Sequence, residues 1–259
     1  MTTWVLLRGL MREARHWGTF PAWFAEQMQA GQPEKITVLT PDFAGNGSRH
    51  GEPSAASVPQ MASDLRSALQ QQGHAPPYHV LALSLGAMAG VAWAARYPAD
   101  VARLVLMNTS LQPFNLFYQR LRPHNYPQLL GLLLADRLAR ERTILRITSN
   151  HGDAAQQADL LQSWQHYAAQ NPVSRRNIVR QLLAAMRYRA SPQAPPVPLL
   201  MLAARCDRLV SVNCSMKIAA LWQCPLRLHD SAGHDLPLDD GAWVVRQIQA
   251  WMAGTGQAA

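Results

Sequence analysis

The sequence predicts an α/β fold: a mostly parallel, doubly wound sheet with helices on both faces and one inserted helical segment. Three observations carry this. Short apolar runs alternate with stretches of helical periodicity along most of the 259 residues. One of these runs, Tyr78 to Leu83, passes into an alanine-rich helical stretch, Ala87 to Arg96, with almost nothing left for a turn. From Leu111 to Ala190 the alternation stops, and only Leu, Ala, Gln and Arg at helical spacing remain. The expected division is a core built from residues 1–110 and 191–259, interrupted by a helical insertion at 111–190.

Taken in order, Thr3 to Leu7 is an apolar strand ending at Arg8-Gly9-Leu10, followed by a helix with an aromatic face, His16 to Gln29. Ile36 to Leu39 is the next strand, closed by the turn-forming string Thr40 to Ser48. Val58 to Gln72 is a helix with Met61, Leu65 and Leu69 on one face, stopped by Gly73. The Tyr78 strand and its helix follow, then Tyr97-Pro98 and a strand from Val101 to Met107. After the insertion, the proline-rich joint Ser191 to Pro198 leads into a buried strand, Leu199 to Ala203. A helix (Ser215 to Trp222), a strand (Leu226 to His229) and an amphipathic helix (Ala242 to Met252) complete the pattern, and the tail Gly254 to Ala259 is expected to fray.

Composition narrows the class. With 48% hydrophobic and 15% charged residues the chain is globular, and its apolar runs are too short to span a bilayer. Met1 to Leu10 has no basic region before its apolar stretch and no small-residue cleavage site after it, so it reads as the first core strand rather than a signal peptide. Cys206, Cys214 and Cys224 make an odd count without C-x-x-C spacing, which argues against a disulfide framework and a structural zinc site and for a reducing, cytoplasmic setting. The net charge of +8 is not accompanied by any nucleic-acid-binding signature. Nearly all of it lies in the insertion, where eleven arginines face four acids between Leu111 and Ala190. Such a run is ordinarily a solvated surface; here it is also a candidate site of attraction for an anionic partner.

The tight reversal after Leu83 demands small residues on either side of its apex, and Ala82 and Gly86 flank Ser84. This is the G-x-S-x-G nucleophile elbow with Ala in the first position, a turn that lifts the serine oxygen above the sheet edge and aims the next N–H, that of Leu85, at the same space. An N-cap serine is the plainer alternative. A serine hydroxyl needs a base, and the base needs an orienting acid. Asp207 follows the Leu199 strand in Arg205-Cys206-Asp207-Arg208-Leu209-Val210, and His234 follows the last strand in Ser231-Ala232-Gly233-His234. Asp230, Asp235, Asp239 and Asp240 compete for the acid role, and His229 for the base. Cys206 is a remote candidate nucleophile, since no elbow presents it.

With Arg8-Gly9-Leu10, the Asp42 to Ser48 loop, the Asp207-Arg208-Leu209-Val210 string and Ala232-Gly233-His234 beside the elbow, the chain resembles the α/β-hydrolase family. The resemblance covers the whole length except the insertion, which stands where that family carries its cap. It implies Ser84 as nucleophile, Asp207 as acid, His234 as general base and the backbone N–H groups of Leu10 and Leu85 as oxyanion donors, with no cofactor and no metal. The implied activity is a serine hydrolase cleaving a carboxylic ester, thioester or related acyl compound through a covalent acyl-enzyme. An acyltransferase would use the same residues, and a ligand-binding receptor would keep the pocket with little turnover. The expected partners are a small acyl substrate and, through the arginine-rich cap, an anionic acyl carrier or acidic surface. The chain departs from the family in having Arg8 where His is usual and Cys206 where Gly is usual, and it begins at the family's third strand, so the first two strands are expected to be missing.

Overall fold

Six apolar runs become strands: β1 (Thr2–Leu7), β2 (Ile36–Leu39), β3 (Tyr78–Leu83), β4 (Val101–Met107), β5 (Leu199–Ala204) and β6 (Leu226–His229). The computed structural model describes residues 1–30, 34–132, 134–150 and 152–255. The strands form one sheet in the order β2-β1-β3-β4-β5-β6, every neighbouring pair parallel. Both edge strands are only four residues long, which limits the row of unpaired backbone groups at each side.

Helices α1 (Phe20–Gln29), α2 (Val58–Gln71) and α3 (Leu85–Arg96) connect the first four strands. The insertion holds α4 (Phe117–Arg120), α5 (Tyr126–Gly131), α6 (Arg137–Thr148), α7 (Ala154–Gln170) and α8 (Arg175–Arg187). Helices α9 (Val212–Trp222) and α10 (Leu236–Thr255) flank β6. Because side chains alternate across a strand, β1 sends Val5 and Leu7 to the face covered by α2, α3 and α9, and Trp4 and Leu6 to the face covered by α1 and α10. The same alternation runs through Val80 against Leu81, Leu104 against Val105 and Leu199 against Leu200. Burial on both faces explains why these strands read as continuous apolar runs.

The helices of 111–190 share a small apolar cluster with the loop after β1, in which Ile144, Leu145, Trp164 and Ile178 pack with Met11. These helices start where the sequence supplies caps: Asp136 accepts from the Ala139 N–H, Asp153 from those of Ala155 and Gln156, and Ser174 from that of Asn177. The two ends of the insertion are tied together where the Ala190 N–H donates to the Gln112 carbonyl at 2.7 Å.

Four sequence expectations shift. The helix expected from His16 to Gln29 is a 3-10 turn, Ala14–Trp17, and then α1, because Gly18 adopts φ +56° and Pro21 starts a new helix. The helix expected from Ser215 begins at Val212. The one expected from Ala242 begins at Leu236 and breaks at Asp240 (φ −153°, ψ 76°), whose carboxylate caps the second part by accepting from the Trp243 N–H at 2.8 Å. Helix α10 extends to Thr255, and the remainder of the expected tail lies outside the described residues.

Helix α3 crosses close over the end of β1. A Cβ on Gly86 would stand 2.6 Å from both the Leu7 and the Arg8 carbonyl oxygens, and backbone cannot yield as a flexible side chain does. Gly86→Ala should therefore cost about 1–3 kcal/mol, read as a lower urea midpoint at unchanged m-value. Gly51→Ala, where an added Cβ meets nothing within 4 Å, should stay within about 0.5 kcal/mol of the parent.

Candidate active site

Ser84 is the single residue between β3 and α3, and its backbone (φ 57°, ψ −115°) is in a region that a residue with a side chain rarely occupies. Three contacts hold it there. Its N–H donates to the Met107 carbonyl at 3.0 Å, and its carbonyl accepts from the Met88 N–H at 3.2 Å and the Thr109 hydroxyl at 3.4 Å. Strain that the surroundings over-determine in this way marks functional turns. From Val80 to Ala94, Ser84 is the one residue that is not buried.

Asp207 and His234 arrive from the ends of β5 and β6. His234 Nδ1 lies 2.7 Å from Asp207 Oδ2, and both residues are buried. The other carboxylate oxygen accepts from the N–H groups of Leu209 at 2.7 Å and Val210 at 2.9 Å, so the acid is fixed by its own loop. A carboxylate accepts only, so Nδ1 carries the proton and Nε2 is left as the basic nitrogen of the neutral ring. Burial pulls the His234 pKa down, but the charge and hydrogen bond of Asp207, with the charge of Asp235, outweigh burial and a smaller lowering by Arg8, leaving it raised above 6.5.

Ser84 and His234 line one cavity of about 70 Å³, together with Gly9, Leu10 and Asp235. Among the described residues no hydrogen bond joins the serine to the ring; such contacts often tighten only when substrate seats. A second, larger cavity of about 390 Å³ opens from Ser84, Leu10 and Leu85 toward Met88, Phe117 and Leu182. Among the described residues neither the Leu10 nor the Leu85 N–H donates a hydrogen bond, and both residues border the space beside Ser84. Among the same residues no group of three His, Cys, Asp or Glu side chains is placed to hold a metal ion, and no helix is long and apolar enough to cross a membrane.

The competing residues are engaged elsewhere. Asp230 pairs with Arg205, Asp240 with His229, and Asp239 accepts from the N–H groups of Gly233 and Asn150 and from the Ser149 hydroxyl. Cys206 is exposed, with its thiol on the Asp230 carbonyl.

Three supports of the site escaped sequence reasoning. Asn108 (φ 44°) donates to the carbonyls of Gly233 at 3.1 Å and His234 at 2.7 Å while accepting from the Ala204 N–H, and so stitches β4 and β5 to the histidine loop. Arg8 forms a buried two-point ion pair with Asp235 at 3.1 and 2.5 Å and lies over the Trp17 ring, joining the Gly9-Leu10 loop to the residue beside His234. Gln181, wholly buried on α8, accepts from the Met11 N–H at 2.9 Å and donates to Asn46 and Ser54. A polar residue closing an apolar run was the available signal for Arg8 and Asn108, while Gln181 sits in the arginine-rich α8 and offered none; in each case the partners are far away in sequence.

Residues 4–247 match the model of the alpha/beta hydrolase family. Among solved structures the chain resembles an esterase from Exiguobacterium antarcticum (TM-score 0.77, 14% identity, 97% of this chain and 91% of that one). It also resembles the enol-lactonase from Burkholderia xenovorans (TM-score 0.77, 16% identity, 97% and 90%). A thermophilic esterase from Thermogutta terrifontis superposes with TM-score 0.72 at 17% identity, covering 98% and 90%. No curated protein sequence gives a significant match. The match over nearly the whole length settles the family: the chain is a member of the alpha/beta hydrolase family.

Proposed function

We propose that this protein is a serine hydrolase that cleaves a carboxylic ester, thioester or related acyl compound through a covalent acyl-enzyme. The observation that carries the reading is the 2.7 Å contact between His234 and Asp207 at the wall of a cavity that Ser84 shares. In the proposed sequence Ser84 Oγ attacks the acyl carbon and His234 Nε2 takes its proton. Asp207 holds the imidazole in that tautomer, and the N–H groups of Leu10 and Leu85 receive the oxyanion. His234 then protonates the leaving group as its bond to the acyl carbon breaks; water attacks the acyl carbon with His234 again as base, the bond to Ser84 Oγ breaks, and His234 returns the proton to Oγ as the acid departs. The cavity of about 70 Å³ beside His234 has room for a few water molecules, while the apolar one of about 390 Å³ suits the acyl chain.

Residues 111–190 serve in this reading as a cap, since Phe117, Leu121, Tyr126, Leu129, Leu182 and Met186 furnish much of the larger cavity's wall. Three free cysteines fit a reducing, cytoplasmic setting. The exposed arginines of the cap, Arg175 and Arg176 among them, are the proposed attraction for an anionic acyl carrier or acidic surface. Reversing both charges should flatten the fall of kcat/KM with salt for an anionic substrate. An equal salt response for neutral and anionic substrates would reduce these arginines to solubilising surface.

A fluorophosphonate should add one group, at Ser84, and Ser84→Ala should abolish labelling while the protein stays folded. Mass-spectrometric location of the adduct elsewhere, or on no residue of active protein, removes the assignment. Because His234 accepts the serine proton only when neutral and its pKa is raised, kcat/KM should rise with pH through an inflection above 6.5. Asp207→Asn should lose about 10³–10⁴-fold in kcat, as loss of the orienting acid does in serine proteases. Near-parental activity in that variant would transfer the acid role to another carboxylate.

A further inference from the structure

The larger cavity beside Ser84 is apolar on most sides, yet a guanidinium borders it. Arg120, half-buried at the end of α4, is the one charged residue lining it among the described residues. Its Nη2 donates to the Ala185 carbonyl at 2.6 Å and its Nη1 to the Met186 carbonyl at 3.5 Å, in the last turn of α8, where a helix favours a cation. Those carbonyls hold the side chain in place but do not neutralise it. No carboxylate pairs with Arg120 among the described residues, and its Nε is buried without a hydrogen-bond partner. Burial lowers its pKa, and burial pushes the neighbouring Cys214 thiol up to about 12, so that thiol is neutral and supplies no counter-charge. A guanidinium has five donors, and the two carbonyls leave others unused.

A desolvated cation without a counter-ion is costly to keep, and a ligand anion entering the same cavity relieves that cost. We propose that Arg120 is a specificity-determining residue that receives a carboxylate on the acyl portion of the substrate, so that the preferred substrate is a half-ester or half-thioester of a straight-chain dicarboxylic acid. The methylenes lie against Met88, Phe117, Leu121, Leu129 and Leu182, with the scissile carbonyl at Ser84 and the free carboxylate at Arg120. Without the guanidinium the apolar wall rejects such a substrate, because an ionised carboxylate would lose its hydration there and gain no partner. This inference rests on the reading of Ser84 as nucleophile and deepens it.

The test compares p-nitrophenyl monoesters of dicarboxylic acids, from adipate upward, with p-nitrophenyl esters of monocarboxylic acids of equal carbon count. At the best length the ratio of kcat/KM, anionic over neutral, should exceed one. Arg120→Met should lower that ratio by about ten- to a hundred-fold, the worth of a hydrogen bond to a charged group. Arg120→Lys should fall between, keeping the charge but losing the planar fork. The ratio cancels any loss of folded enzyme, and fluorophosphonate titration of Ser84 counts active sites in each variant. Repeating the series at about 1 M salt, where the Debye length is about 3 Å, removes the contribution of surface arginines such as Arg175. An enzyme that labels at Ser84 and turns over neutral esters, but whose ratio never exceeds one, overturns the role of Arg120. So does a change of less than about threefold in Arg120→Met. Absence of both labelling and ester turnover would instead remove the underlying assignment of Ser84.

Discussion

The hydrogen on Gly86 faces the carbonyl oxygens of Leu7 and Arg8, each 2.6 Å from where a side chain would begin. That contact lets α3 start directly at the end of β3 and cross β1 without a spacer. It brings the β1 loop against the turn, so that even Gly9 stands close to Ser84, a Cβ there meeting the serine's at 3.3 Å. Ser84, the Leu85 N–H and the Leu10 N–H are thereby drawn to one sheet edge, and the positive-φ backbone of Ser84 is held by Met107 at the end of β4, Met88 on α3 and Thr109 just beyond β4 instead of by its own preference.

The histidine loop is governed differently. A chain segment between β6 and α10 has no regular structure of its own, so its geometry is imposed by polar anchors, among them Asn108 on the carbonyls of Gly233 and His234, Asp239 on the Gly233 N–H, and Arg8 on Asp235. The buried pair Arg8–Asp235 is the most demanding of these. Removing one partner of such a pair leaves an uncompensated charge and typically costs about 3–5 kcal/mol. It also explains why Arg stands where the family usually has His: the longer side chain reaches across to the residue after the proposed base while its guanidinium covers the Trp17 ring.

The insertion is joined to the core by polar hubs as well as by its apolar floor. Gln181 spans from α8 to the loop carrying Leu10, and Arg12 forms a buried ion pair with Glu141 on α6 at 2.6 Å. Because Gln181 occupies the Met11 N–H, the loop just after Leu10 is fixed from the insertion side. Helix α8 thus contributes both to the wall of the larger cavity and to the order of the loop after Leu10, which would couple acyl binding to the geometry proposed for catalysis.

By itself the sequence determined the alternation of strands and helices that the parallel sheet bears out, and it supplied the expected bounds of the insertion and the candidates Ser84, Asp207 and His234. Each rests on short-range physics: apolar runs bury themselves, small residues permit a tight reversal, and loops after parallel strands gather at one edge. The break at Gly18 and the early start of α10 were not legible, because a positive φ and a capping carboxylate inside an otherwise helical pattern leave the periodicity almost intact. Nor could the sequence choose Asp207 over its four neighbours by composition. Tertiary structure engages Asp230, Asp235, Asp239 and Asp240 with other partners and sets the Asp207 carboxylate 2.7 Å from His234, which supports reading Asp207 as the acid. The same holds for Asn108, Gln181 and Arg120. A polar side chain acquires its meaning from a partner, or from the want of one, and residues more than sixty positions apart meet only when the chain is folded.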